Sequence, residues 1–116
     1  TGRYIIAKLL FDTKSMSEVT LPAFPGEEST ALQIQRNSIH YTYSLDSNNN
    51  LRIKNDNTGE ENVLNSMDTQ VTGLNFLRVG SGGNNDTVQV TFTVSSRIMQ
   101  PKGQESRAFR TTLGRQ

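Results

Sequence analysis

From Thr87 to Ser95 apolar and polar residues alternate without a break, with Val88, Val90, Phe92 and Val94 on one side and Thr87, Gln89, Thr91 and Thr93 on the other. Side chains of a strand point to opposite faces in turn, so this stretch has one face to bury and one to wet. A helix would need its apolar positions three and four apart. Part of the core must therefore come from a sheet, and this segment is expected at its centre.

The same period recurs along the chain. Leu32 and Ile34 alternate with Gln33 and Gln35; Ile39, Tyr41, Tyr43 and Leu45 alternate with His40, Thr42 and Ser44; Leu51 and Ile53 alternate with Arg52 and Lys54. Polar turns at 46–50 and 55–59 separate these runs, which predicts an antiparallel meander. Phe109, Thr111 and Leu113 form a last strand. Between Gln70 and Val79 the phase slips, because Val71 lies three residues from Leu74 while Leu74 and Phe76 keep a spacing of two. Gly73 sits at the slip, so a β-bulge is expected there. Glycine- or proline-bearing loops are expected at 80–86 and around Pro101 and Gly103.

The first residues follow another rhythm. Ile5, Ile6, Leu9, Leu10, Met16 and Val19 recur near helical spacing, with Lys8, Asp12, Lys14 and Ser15 between them. This predicts an amphipathic helix over 1–19, with Pro22 and Pro25 enforcing the exit. Helical pattern begins at once, without a polar cap, so the segment reads as the continuation of a longer helix. The expected fold class is α+β: this helix packed on a mostly antiparallel sheet spanning 31–113, all in one domain, with the helix covering the sheet's apolar face.

Composition narrows the function classes. The chain has 116 residues, no cysteine and a net charge of +1, which implies neither a thiolate metal site nor a strong field for polyanions. Its longest apolar run, Tyr4 to Leu10, is broken by Lys8 and is far shorter than the ~20 residues that span a bilayer.

Candidate chemistry is sparse. His40 falls on the polar face of its strand and lacks a carboxylate neighbour in sequence. Asp46, Asn48 and Asn50 copy the first ligands of a calcium loop, but Leu51 and Asn57 stand where that loop needs glycine and glutamate; an Asn/Asp turn is the stronger reading. The glycines at 80, 82 and 83 fit no phosphate-binding fingerprint. Arg97, Lys102, Arg107, Arg110 and Arg115 make the last third basic, yet Tyr41 and Tyr43 share the apolar phase of Ile39 and read as core. Glu27 and Glu28 are adjacent and point apart. No nucleophile, base and orienting group come together, so neither an enzyme nor a cofactor is expected.

The uncapped helix, its exit Val19-Thr20-Leu21-Pro22, the run Thr87 to Val94 and the ending Ala108-Phe-Arg-Thr-Thr-Leu-Gly-Arg115 together resemble bacterial type IV pilin-like proteins. The resemblance is nearest to minor pseudopilins of type II secretion and minor type IV pilins. It rests on Phe109, Thr111, Thr112, Leu113 and Arg115 at the end, with Gly114 inserted, and on Leu74 with Phe76. It implies a soluble head whose membrane helix lies upstream, a place in the cell envelope, and a structural role in priming or building a filament. Other pilin or pseudopilin subunits and the cytoplasmic membrane would be the partners, with no nucleic acid expected. Arg3, Lys8, Asp12, Lys14 and Glu18 are then the candidates for subunit contacts. Two competing readings remain: a stand-alone secreted β-rich binding or adhesion module, and a DNA-uptake pilin favoured by the basic C-terminal third.

Overall fold

The computed structural model describes residues 2–14, 18–24, 26–79, 87–97 and 106–114. The expected loops at 80–86 and around Pro101 and Gly103 lie outside the described residues. Helix α1 covers Gly2–Lys14, and nine strands follow: β1 Glu18–Leu21, β2 Glu28–Ser29, β3 Leu32–Arg36, β4 Ile39–Leu45, β5 Leu51–Asn55, β6 Glu61–Val63, β7 Thr69–Arg78, β8 Thr87–Ser96 and β9 Ser106–Gly114.

These strands form two antiparallel sheets, one in the order β1-β3-β4-β5-β6 and the other β2-β7-β8-β9. The predicted meander is β3-β4-β5, paired from Leu32↔Tyr43 through Leu45↔Leu51. β8 is central in its sheet, between β7 and β9. The bulge at Gly73 is present: Thr72 pairs with Thr93 and Asn75 with Thr91, so Gly73 and Leu74 together face the one intervening residue. Gly73 has φ of +63°, which an L side chain rarely adopts. Inserting this residue lets Val71, Leu74 and Phe76 all reach the interior.

The fold class differs from the expected helix on a sheet. Leu32, Ile34, Tyr43 and Leu51 of one sheet join Val71, Phe76, Val88, Val90, Phe92 and Leu113 of the other in a single buried cluster, to which α1 adds Ile5 and Leu9. Both sheets thus contribute their apolar residues to one shared core, with the helix adding a smaller part, an arrangement open to any strand with one apolar face. The chain is mostly β with one short helix, and a pilin-like head is not what it forms. The helix expected to reach residue 19 ends at Lys14, and Val19 lies in β1 opposite Ile34. β-Branched Val19 and Thr20 fit a pleated surface better than a helical turn, and their period-two neighbours in β3 supply the pairing.

Polar side chains stitch the layers together. Asn65, buried, accepts the Leu51 amide at 2.7 Å and donates to the Asn50 side chain at 3.1 Å and the Thr69 carbonyl at 3.0 Å, tying β5 to the start of β7. Arg78, at the buried end of β7, donates to the carbonyls of Val19, Pro22 and Ala23 at 3.2, 3.1 and 2.8 Å and so holds the segment after β1.

Candidate interaction surface

Helix α1 has two unlike faces, and both carry apolar groups. Inward it presents Ile5 and Leu9, each fully buried, and it packs against β9 of the second sheet. The same face is bound to the first sheet by Asp12, only 1 % exposed. Tyr43 donates its hydroxyl to Asp12 Oδ2 at 2.6 Å, while Arg36 Nη1 and Lys8 Nζ donate to Oδ1 at 3.1 and 3.2 Å. A buried carboxylate needs this number of donors to offset its lost hydration. Burial, then the bond to Asp12, pushes the Tyr43 phenol well above its ordinary range, so it keeps the proton that it donates to Asp12. Thr13, also buried, turns its hydroxyl back to the Leu9 carbonyl at 2.8 Å.

The outward face holds Tyr4, Leu10 and Phe11, exposed by 58, 41 and 70 %. At 100° per residue, Arg3, Tyr4, Ala7, Leu10, Phe11 and Lys14 fall within about one-third of the helix circumference. A stripe of large apolar groups is therefore bounded by a cation at each end. Asp12, the only acid in α1, faces the other way, and β9 carries Arg107 and Arg110 with no acid at all. The side of the molecule built by α1 and β9 is basic and partly apolar.

The five contact candidates from the sequence separate on this geometry. Arg3 and Lys14 stand exposed beside the stripe. Lys8 is half-buried and joined to Asp12, which is itself engaged with the first sheet. Glu18 lies in β1, its backbone opposite Gln35. Helical spacing alone cannot tell a solvent-facing charge from one turned inward as an anchor, and Asp12 on a turn with Leu9 was the available signal.

Of the calcium candidates, Asp46 and Asn50 are committed to protein donors through their side chains, and Asn48 through its backbone carbonyl, which accepts Arg97 Nη2 at 2.7 Å. Asp46 Oδ1 accepts the amides of Asn48 and Asn50 at 2.8 and 3.0 Å, and its Oδ2 accepts Arg52 Nε at 2.6 Å. Arg52 above all, then the Asn50 amide, lowers the Asp46 carboxyl to about 2. Asn50 Oδ1 takes Asn65 and Arg97 Nη2 at 3.1 and 3.0 Å. A cation would have to displace two guanidinium contacts, and among the described residues no three His, Cys, Asp or Glu side chains come together. This is an Asx turn with a charge pair.

His40 lies partly buried in β4, with Asn57 Oδ1 on its amide rather than its ring. Tyr43 belongs to the core, and Tyr41 packs beside it beneath the Arg36 guanidinium, 5.1 Å from the ring centroid. Asn65 and Arg78 escaped the sequence reading. Arg78 had a signal, because it continues the buried phase of Leu74 and Phe76; Asn65 had none.

No family model matches the chain, and neither a curated protein nor a solved structure does so. With a mostly β, two-sheet architecture in place of a helix-covered sheet, the resemblance to type IV pilin-like proteins is withdrawn. Its strings are short alternations of threonine with valine, phenylalanine or leucine, which any central or edge strand of a two-sheet core can carry.

Proposed function

We propose that this chain is a non-catalytic assembly or binding module that docks a partner polypeptide through the outer face of α1. One observation carries the reading. Of the seven large apolar side chains exposed among the described residues, three, Tyr4, Leu10 and Phe11, share one face of a helix whose opposite face is already buried. Single exposed apolar groups are ordinary, whereas a contiguous set costs solubility and marks contact surfaces. Aromatic anchors on a rigid helix are also what interfaces concentrate their binding energy in.

Arg3 and Lys14 at the ends of the stripe favour a partner with carboxylates around an apolar centre, giving orientation more than affinity. Envelope location and pilin-type partners followed from the withdrawn resemblance alone. No helix among the described residues is long and apolar enough to cross a membrane.

The test is the double variant Tyr4→Ser/Phe11→Ser. Both side chains are largely in water already, so its unfolding free energy from urea titration should stay within about 0.5 kcal/mol of the parent's. Complexes purified with the parent from its producing cells should be lost with the variant. A complex that survives both substitutions would remove the helix face from the account.

A further inference from the structure

We infer that β9 is a strand-addition site, taking as a fifth strand an extended segment of another polypeptide that carries two acidic residues three positions apart. This goes beyond the docking role of α1 and stands or falls separately from it.

The edges of the two sheets are unequal. β1 has four residues and a register shift, β2 two residues and β6 three, all of them short or irregular. Such edges offer little template for another strand. β9 has nine residues, pairs with β8 from Gly114 to Ser106 in unbroken register, and ends its sheet among the described residues. Towards Gly114 it joins the core through the buried Leu113, while Ser106, Arg107, Ala108, Arg110 and Thr112 are exposed. Three consecutive exposed residues, Ser106 to Ala108, mean that both faces of the sheet are open there.

The charges identify the occupant. Arg107 and Arg110 are three apart, so they project from opposite faces of the sheet. If two copies of this edge paired antiparallel with these residues opposite one another, arginine would face arginine on both faces, which weighs against self-addition. A strand whose own acids are also three apart meets one arginine on each face, and cross-strand pairs of opposite charge stabilise such an addition.

The probe is the synthetic peptide Thr-Glu-Val-Thr-Glu-Val, titrated into the whole protein and followed by amide shifts and hydrogen exchange. Its control, Thr-Glu-Val-Glu-Thr-Val, has the same composition with both acids on one face. The first peptide should slow exchange at alternate amides between Ser106 and Arg110 and bind more tightly than the control. Arg107→Glu/Arg110→Glu should weaken it roughly tenfold and favour the lysine counterpart, the scale expected of two reversed rim charges. Both arginines are exposed, so the variant keeps its fold, and an unchanged amide spectrum away from β9 verifies that. Four results would overturn the inference: no response at β9, equal binding of the control, an equal response to a single-stranded oligonucleotide, or edge-to-edge dimers without peptide. Shifts confined to Tyr4, Leu10 and Phe11 would also overturn it while leaving the docking role of α1 in place.

Discussion

Asp12 is the residue on which the attachment of helix to sheet turns. Three donors from α1, β3 and β4 converge on it, and Tyr43 and Asp12 are both almost fully buried. Asp12→Ala should cost about 2–4 kcal/mol in urea unfolding, because it leaves the Tyr43 hydroxyl and two cations without their acceptor. Tyr43→Phe removes one bond and keeps the ring, so about 1–2 kcal/mol is expected. A smaller loss for Asp12→Ala than for Tyr43→Phe would show that the carboxylate is not the hub. Asp46 gives a pH signature. Its carboxyl is lowered from 3.8 to about 2 on folding, so its contribution is complete above the unfolded value and disappears as pH falls through about 2. Asp46→Asn keeps an oxygen for the Asx turn but loses the charge facing Arg52. Urea midpoints of parent and variant should therefore differ at neutral pH and converge as pH is lowered towards 2; a constant gap would contradict the assignment.

At the scale of elements, the bulge in β7 is the device that keeps a ten-residue strand in register with the core. A Cβ at Gly73 would meet no atom within 4 Å, so the cost of replacing it is backbone strain alone. Gly73→Ala should lower stability by about 1–2 kcal/mol, measured by thermal unfolding, with the pattern of amide shifts in β8 retained. The bulge was legible because a glycine coincided with a slip in apolar phase. The meander β3-β4-β5 and the central place of β8 were legible for a related reason: alternation fixes which residues share a face, and short polar turns fix which strands are neighbours. What covers each apolar face leaves no mark on a single strand. Leu32 and Val90 have the same local pattern whether a helix or a second sheet lies above them, and the second sheet was missed for that reason. The end of α1 was hidden too, since Val19 continues the helical spacing of Ile5 and Leu9 while pairing with Ile34 in the folded chain.

At the scale of the whole molecule, charge is unevenly distributed. α1 and β9 together carry Arg3, Lys8, Lys14, Arg107 and Arg110 against the single buried acid Asp12, whereas residues 46–68 carry Asp46, Asp56, Glu60, Glu61 and Asp68 against Arg52 and Lys54. Such a distribution orients an approaching partner before contact, and salt weakens it. The apolar stripe of α1 lies on the basic side, so orientation and burial act at one place. Of this surface, the sequence disclosed Arg3 and Lys14 but not the exposure of Phe11, because a helix apolar on both faces shows no clear stripe until its inner partners are known. The central claim, that the outer face of α1 is where the chain meets its partner, is tested most directly by photocrosslinking in the cells that produce it. A benzophenone side chain would replace Phe11 and, as a control, Thr42 on the polar face of β4. A discrete adduct from position 11 and none from position 42 is the predicted result; an adduct from position 42 alone would contradict the account.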